Sequence, residues 1–195
     1  MKTKFLLHGG KLKLKDKRND TYFQELTKDL GDGDQVLFIG FARRDEKDRA
    51  KVYEREKSFL LAQTNKAIKV INATYDNLIE QIKAAKVIQI TGGESPELIR
   101  DMQKYPDFVK ALSGKVVGGS SAGVCLFSTY YFFSDERGVL KGLGTLPIRL
   151  RVHSDNPEFG TIESSLELLK KYPQDLELVL LEECAWVVKE MDVTA

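Results

Sequence analysis

Short apolar runs alternate with stretches of helical periodicity along most of the chain. Residues 4–7 (KFLL) predict a strand. Tyr22, Phe23, Leu26 and Leu30 then fall on one helical face. The run QVLFI at 35–39 predicts a buried strand. Residues 45–63 are charged, with Val52, Tyr53, Phe59 and Leu60 spaced as on a helix facing a sheet. A strand at 67–71, a helix marked by Leu78, Ile79 and Ile82, and a strand VIQI at 87–90 follow. Ser95-Pro96 reads as an N-cap followed by proline at the first helical position. Pro106 opens a short helix through Leu112, and 115–117 predicts another strand. From Tyr130 the pattern is less regular. Ile148, Leu150 and Val152 alternate with Arg149 and Arg151, which predicts a half-exposed strand, and 176–181 is a last strong strand run. Strands alternating with helices imply an α/β fold with a mostly parallel sheet and right-handed crossovers. No repeat, low-complexity tract or linker divides residues 1–195, so one domain is expected.

Composition narrows the function classes. The chain has 195 residues, 42% hydrophobic and 30% charged, a globular balance. Thirty basic residues face 29 acidic ones, so no overall field argues for nucleic acid or membrane. No apolar stretch is long enough for a signal peptide or a bilayer span. The two cysteines, Cys125 and Cys184, give neither a disulfide framework nor a metal spacing, and a reduced, cytoplasmic setting is expected. With only His8 and His153 present, a multi-histidine metal site is excluded, and no metal or cofactor is expected.

The chemistry concentrates at 115–127, KVVGGSSAGVCLF. It contains G-x-S-x-G as Gly119, Ser120, Ser121, Ala122 and Gly123, with a strand before it and a buried helix predicted after it. A nucleophile elbow needs that strand–turn–helix setting. Flanking glycines let the helix and strand approach without Cβ clashes. The helix start offers free N–H groups and a positive dipole end to a developing oxyanion. Ser121 is the expected nucleophile, with Ser120 as its rival. A plain tight turn, or one that binds phosphate, is the bland alternative.

A serine hydroxyl needs a base to take its proton. His153 follows the alternating strand and sits at a strand end, where catalytic groups gather in such sheets. His8, in His-Gly-Gly, also follows a strand and stays open as an alternative. A carboxylate should orient the imidazole. Glu182 follows the 176–181 run and is the first choice; Glu183 and Asp155 are rivals. One oxyanion donor would be the N–H of Ala122, and the other would come from the Thr91-Gly92-Gly93-Glu94 loop. The order serine, histidine, acid differs from that of an α/β-hydrolase.

With Thr91-Gly92-Gly93, Gly119-Ser120-Ser121-Ala122-Gly123, His153 and Leu181-Glu182-Glu183-Cys184-Ala185 in this order, the chain resembles the dipeptidase E family of serine peptidases, which includes aspartyl dipeptidases and cyanophycinases. The resemblance implies a flavodoxin-like, mostly parallel sheet with helices on both faces, similar to class I glutamine amidotransferases. It implies Ser121, His153 and Glu182 as nucleophile, base and orienting acid. Gly92 or Gly93, with Ala122, would line the oxyanion hole. Aspartyl dipeptidases recognise a substrate carboxylate with an arginine downstream of the histidine. No arginine follows Arg151 here, so Arg43, Arg44, Arg149 or Arg151 would have to serve. Glu94, Arg149 and Arg151 are the candidate substrate-binding residues. Short peptides are the implied substrates, and a homodimer is entertained as the assembled form.

Other features have plainer readings. Residues 11–18, KLKLKDKR, read as a solvated loop or as a basic rim that attracts acidic peptides. Cys125, Trp186 and the aromatic cluster 130–133 read as core or interface. Two rival functions stay open: a non-peptidase serine hydrolase such as an esterase or amidase, and a catalytically silent ligand-binding domain on the same fold.

Overall fold

The computed structural model describes residues 1–193. Five parallel strands form the centre of the larger sheet. They are β1 (Lys2–His8), β2 (Gln35–Ile39), β3 (Lys69–Asn72), β4 (Val87–Ile90) and β5 (Val116–Ser120). A sixth strand, β10 (Trp186–Asp192), closes one edge antiparallel to β1, giving the order β10-β1-β5-β4-β2-β3.

The period-2 alternation of the strands sorts their side chains to two faces. Leu6, Val36, Phe38 and Val87 pack on one face with Tyr22, Phe23 and Leu26 of α1 (Lys17–Thr27) and with Leu60 of α2 (Glu46–Ala62). Phe5, Leu7, Leu37, Ile39, Ile88 and Ile90 pack on the other. That face is covered by α3 (Leu78–Ala84), α4 (Ser95–Met102), α5 (Phe108–Ala111) and the single turn α6 (Ala122–Cys125). Each fully buried Leu, Ile, Val or Phe contributes about 1.5–3 kcal/mol.

The less regular third of the chain builds a second sheet. Strands β6 (Ser128–Phe133), β7 (Gly138–Lys141), β8 (Leu146–Val152) and β9 (Glu177–Leu181) lie in the order β7-β6-β8-β9. Tyr131, Ile148, Leu150, Val179 and Leu181 join the same core as the second face of the larger sheet. The remaining helix, α7 (Ile162–Leu169), packs on this sheet. The mixed α/β layout with mostly parallel pairing was expected; its division into two sheets was not.

Three local readings change. Ser95 is the first residue of α4 rather than its N-cap; Glu94 occupies the cap, and neither side chain makes a capping bond. The helix after Ser121 lasts one turn, because the chain must enter β6 at Ser128. Arg149 and Arg151 are not half-exposed, because α7 covers their side of β8. Arg149 donates to the carbonyls of Leu169 and Leu176, at the C-terminal end of α7 and beyond it. Arg151 is 0% exposed, donates to the carbonyl of Gly160 and lies over the Phe132 ring. Among the described residues, no helix is long and apolar enough to cross a membrane, and no group of three or more potential ligands is placed to hold a metal ion.

Candidate active site

Loops from the carboxyl ends of the parallel strands converge at one place, as open α/β sheets favour. Gly9-Gly10-Lys11 follows β1, residues 40–43 follow β2, Thr91-Gly92-Gly93 follows β4 and Ser121 follows β5. Ser121 has φ +50° and ψ −107°, a conformation that costs of order 1–3 kcal/mol for a residue with a Cβ. Its backbone N–H bonds to the carbonyl of His8, and its carbonyl accepts from Val124 and Cys125, which holds the turn. The motif glycines let the turn close. A Cβ on Gly119 would stand 2.7 Å from the Gly123 carbonyl oxygen, and one on Gly123 would stand 2.5 Å from that of Ile90. The serine is thus held between β5 and a one-turn helix drawn tightly against β4.

The partners come from the second sheet. His153 directly follows β8, and its Nε2 lies 3.0 Å from Ser121 Oγ. Its Nδ1 lies 2.9 Å from Oε1 of Glu183. A carboxylate at Nδ1 fixes the proton there, leaving the Nε2 lone pair for the serine hydroxyl. His153 is 7% exposed, and its ring stacks on Phe159 at 4.2 Å and 15°. Burial pulls its pKa below the ordinary 6.5, against the raising effect of Glu183.

The carboxylate beside His153 is therefore that of Glu183, not Glu182. β9 ends at Leu181, and successive side chains of an extended strand point to opposite sides. Glu182 turns out to solvent, its side chain 63% exposed and 3.9 Å from Arg18. The Glu183 side chain is 15% exposed and accepts a second bond from Asn156 Nδ2 at 2.8 Å, with Lys11 Nζ at 3.8 Å. Asp155 does not face the imidazole; it accepts from the Glu183 backbone N–H at 2.8 Å. His8 is committed elsewhere. Its Nδ1 accepts the Gly10 N–H, its Nε2 meets Asn19 Oδ1 at 2.8 Å, and burial pulls it down to about 4.

Two clefts open from Ser121 and His153. The larger, about 400 Å³, is lined by Gly92, Gly93 and a set of charged side chains from the β1–α1 loop, the β2–α2 loop and α2. The smaller, about 140 Å³, is walled by Phe132, Phe133, Val152, Cys125 and Phe159, with Glu94 and Asp135 among its lining residues. Glu94 is thus at a cleft. Arg149 and Arg151 line neither, and Arg44 pairs with Glu97. The basic stretch 11–18 divides: Leu12 is buried, and Lys11 and Lys13 join the larger cleft. Cys125 is buried, its thiol pushed up to about 12, which keeps it protonated and unreactive. Ala122 opens α6, so its N–H has no carbonyl a turn back within the helix. With a helix of one turn, that N–H rather than a summed dipole is what the elbow offers an oxyanion.

Several residues of the site were not singled out from sequence. Phe159 and Asn156 lie in an irregular stretch, and their contacts are visible only in three dimensions. Gly10 lies under the His153 ring: a Cβ there would stand 2.1 Å from His153 Cε1. Its place in His-Gly-Gly, just after a strand, was the available signal.

The model for peptidase family S51 matches residues 5–194. No curated protein gives a significant match. Among solved structures, a peptidase from an acI-B1 actinobacterium superposes with a TM-score of 0.65 at 20% identity, covering 97% of this chain and 84% of the other. A candidate peptidase E protein from Listeria monocytogenes EGD-e gives 0.66 at 13% identity, covering 98% and 100%. At these identities the two likenesses speak for the fold, which is that of class I glutamine amidotransferases. The family match over nearly the whole length carries the assignment: this chain belongs to peptidase family S51 and is a serine-type peptidase.

Proposed function

We propose that the protein hydrolyses dipeptides or short peptides through an acyl-enzyme on Ser121, with His153 as base and Glu183 as the orienting acid. The observation that carries this reading is the unbroken chain Ser121 Oγ–His153 Nε2 and His153 Nδ1–Glu183 Oε1, at 3.0 and 2.9 Å. His153 takes the hydroxyl proton as Ser121 Oγ attacks the peptide carbonyl. The N–H of Ala122 and an N–H of Gly92 or Gly93 receive the oxyanion. His153 then protonates the leaving amine, and water repeats the sequence to release the acid. Glu183 stabilises the imidazolium formed in each half. A cleft of about 400 Å³ is near the lower end of the usual range for small-ligand sites, about 300–1,000 Å³, which favours short substrates.

A mass-spectrometric test uses a fluorophosphonate and a panel of dipeptides, tripeptides and simple esters. A phosphonyl adduct on Ser121, together with dipeptide cleavage, is the expected result. An adduct with ester turnover and no peptide cleavage would replace the peptide reading with an esterase one. No adduct and no turnover would sink the acyl-enzyme reading.

The pH profile supplies an independent check. His153 must be neutral to act as base, so kcat/KM holds above its pKa and falls as pH drops through it. Burial places that pKa below 6.5, so the acid limb should have its midpoint below that value. A midpoint well above it would argue against His153 as the group titrating.

A further inference from the structure

His8 is the last residue of β1, 0% exposed, and it lines neither cleft. An apolar side chain would fill that space without polar atoms to satisfy, so the two ring nitrogens of His8 call for a structural reason. The sheet supplies one. β1 lies between β5 and β10, so its end reaches both the serine turn and the turn that carries Glu183. The His8 carbonyl accepts from the Ser121 N–H at 3.0 Å. Gly9 donates to the Ala185 carbonyl at 2.9 Å and accepts from the His153 N–H at 3.2 Å. The Gly10 carbonyl accepts from the Cys184 N–H at 3.0 Å. Residues 8–10 thus hold the backbone at, or next to, each of Ser121, His153 and Glu183.

The His8 ring locks this segment in place. Its Nδ1 accepts from the Gly10 N–H at 3.0 Å, which holds Gly10 at φ +120° and directly against the His153 ring. That bond needs a lone pair on Nδ1, and Asn19 of α1 provides for it. Asn19 Nδ2 donates to the carbonyls of Leu14 and Lys11, at 2.9 and 3.2 Å, so Oδ1 is the atom left facing His8 Nε2, at 2.8 Å. An oxygen at that place requires the proton on Nε2, and a neutral imidazole with Nε2–H has its lone pair on Nδ1. Tyr22 packs edge-on against the ring at 4.9 Å, and burial, which pulls the pKa down to about 4, keeps the ring neutral near neutral pH. Both nitrogens are therefore committed, each to a partner of the right kind.

We propose that His8 is a positioning residue for the hydrolytic reaction: anchored by Asn19 on one nitrogen and bonded to the Gly10 N–H by the other, it sets where the His153 ring stands relative to Ser121 and Glu183. The inference rests on the reading in which those three residues act together. His8 exchanges no proton with the substrate. It acts through Gly10, the residue in contact with the imidazole that does.

Two substitutions divide the two bonds of the ring. His8→Asn puts an amide oxygen near the place of Nδ1, so the Gly10 N–H keeps an acceptor while the bond to Asn19 is lost. His8→Gln reaches Asn19 and leaves the Gly10 N–H without an acceptor. For His8→Gln, kcat is expected to fall about 10²-fold, the scale of a reacting group displaced by about 1 Å, with KM changed less than about twofold. His8→Asn should recover at least about tenfold of that loss. Thermal melts of both variants separate these effects from loss of fold. Since His8 and His153 are the only histidines, NMR spectra of either variant with nitrogen-labelled histidine report His153 alone. The proton on its Nδ1, bonded to Glu183, should resonate far downfield, keep its wild-type position in His8→Asn, and shift or broaden in His8→Gln. Equal kcat in the two variants, losses of kcat that simply follow the losses in Tm, or an unmoved His153 resonance in His8→Gln would overturn the positioning role. A wild type that cleaves no peptide and takes no fluorophosphonate would reject the hydrolytic reading, and the His153 resonance would then decide alone whether His8 places the ring.

Discussion

Glu183→Gln is expected to lower kcat by on the order of 10³–10⁴-fold, while Glu182→Gln changes it by less than about twofold. The two side chains are adjacent in sequence and opposite in environment. Glu183 touches His153 Nδ1 and is held by Asn156, whereas Glu182 is mostly in solvent. A glutamine at 183 keeps the size of the side chain but removes the negative charge that stabilises the imidazolium, and its amide can turn a donor toward Nδ1. The imidazole would then carry its proton on Nε2, where it cannot accept from Ser121. Steady-state kinetics beside a thermal melt would separate this from loss of fold. A larger loss from Glu182→Gln than from Glu183→Gln would place the turn after β9 in a different register.

Gly10→Ala is expected to cost about 10²-fold or more in kcat, because a reacting group displaced by about 1 Å loses on that scale. The cause is twofold. Gly10 has φ +120°, which a side chain rarely tolerates, and the added methyl would stand 2.1 Å from His153 Cε1. The ring cannot retreat freely, since Phe159 stacks on it at 4.2 Å. Gly33→Ala is the matched control: φ is +85° there, but nothing lies within 4 Å. It should cost about 1 kcal/mol of stability and leave kcat unchanged. Similar losses of activity in both variants would mean that Gly10 acts through stability alone.

Much of the parallel sheet was legible because buried strands and amphipathic helices leave different periods; QVLFI and VIQI coincide with β2 and β4. The serine turn was legible because close backbone approach restricts two of its positions to glycine. The acid was harder. Side chains alternate at a strand end, and an uncertainty of one residue in where β9 stops exchanges Glu182 for Glu183. Arg149 and Arg151 were read as solvated because charge usually is, but α7 covers them and backbone carbonyls receive two guanidinium groups. Glu56 was hidden for the converse reason. In so charged a helix a glutamate looks exposed, although its spacing of four from both Val52 and Leu60 puts it on the core-facing stripe. The second sheet depends on pairings far apart in sequence, which local patterns do not encode.

The serine belongs to the larger sheet, and its histidine and glutamate to the smaller one. Gly9 and Gly10 tie the two together through bonds with His153, Cys184 and Ala185. Ser121 is synthesised well before residues 153 and 183, so under the proposed function a nascent chain carries the serine without its base and orienting acid until the second sheet has been made and has docked. On that reading, competence to cut peptides arises only when the smaller sheet joins the larger one.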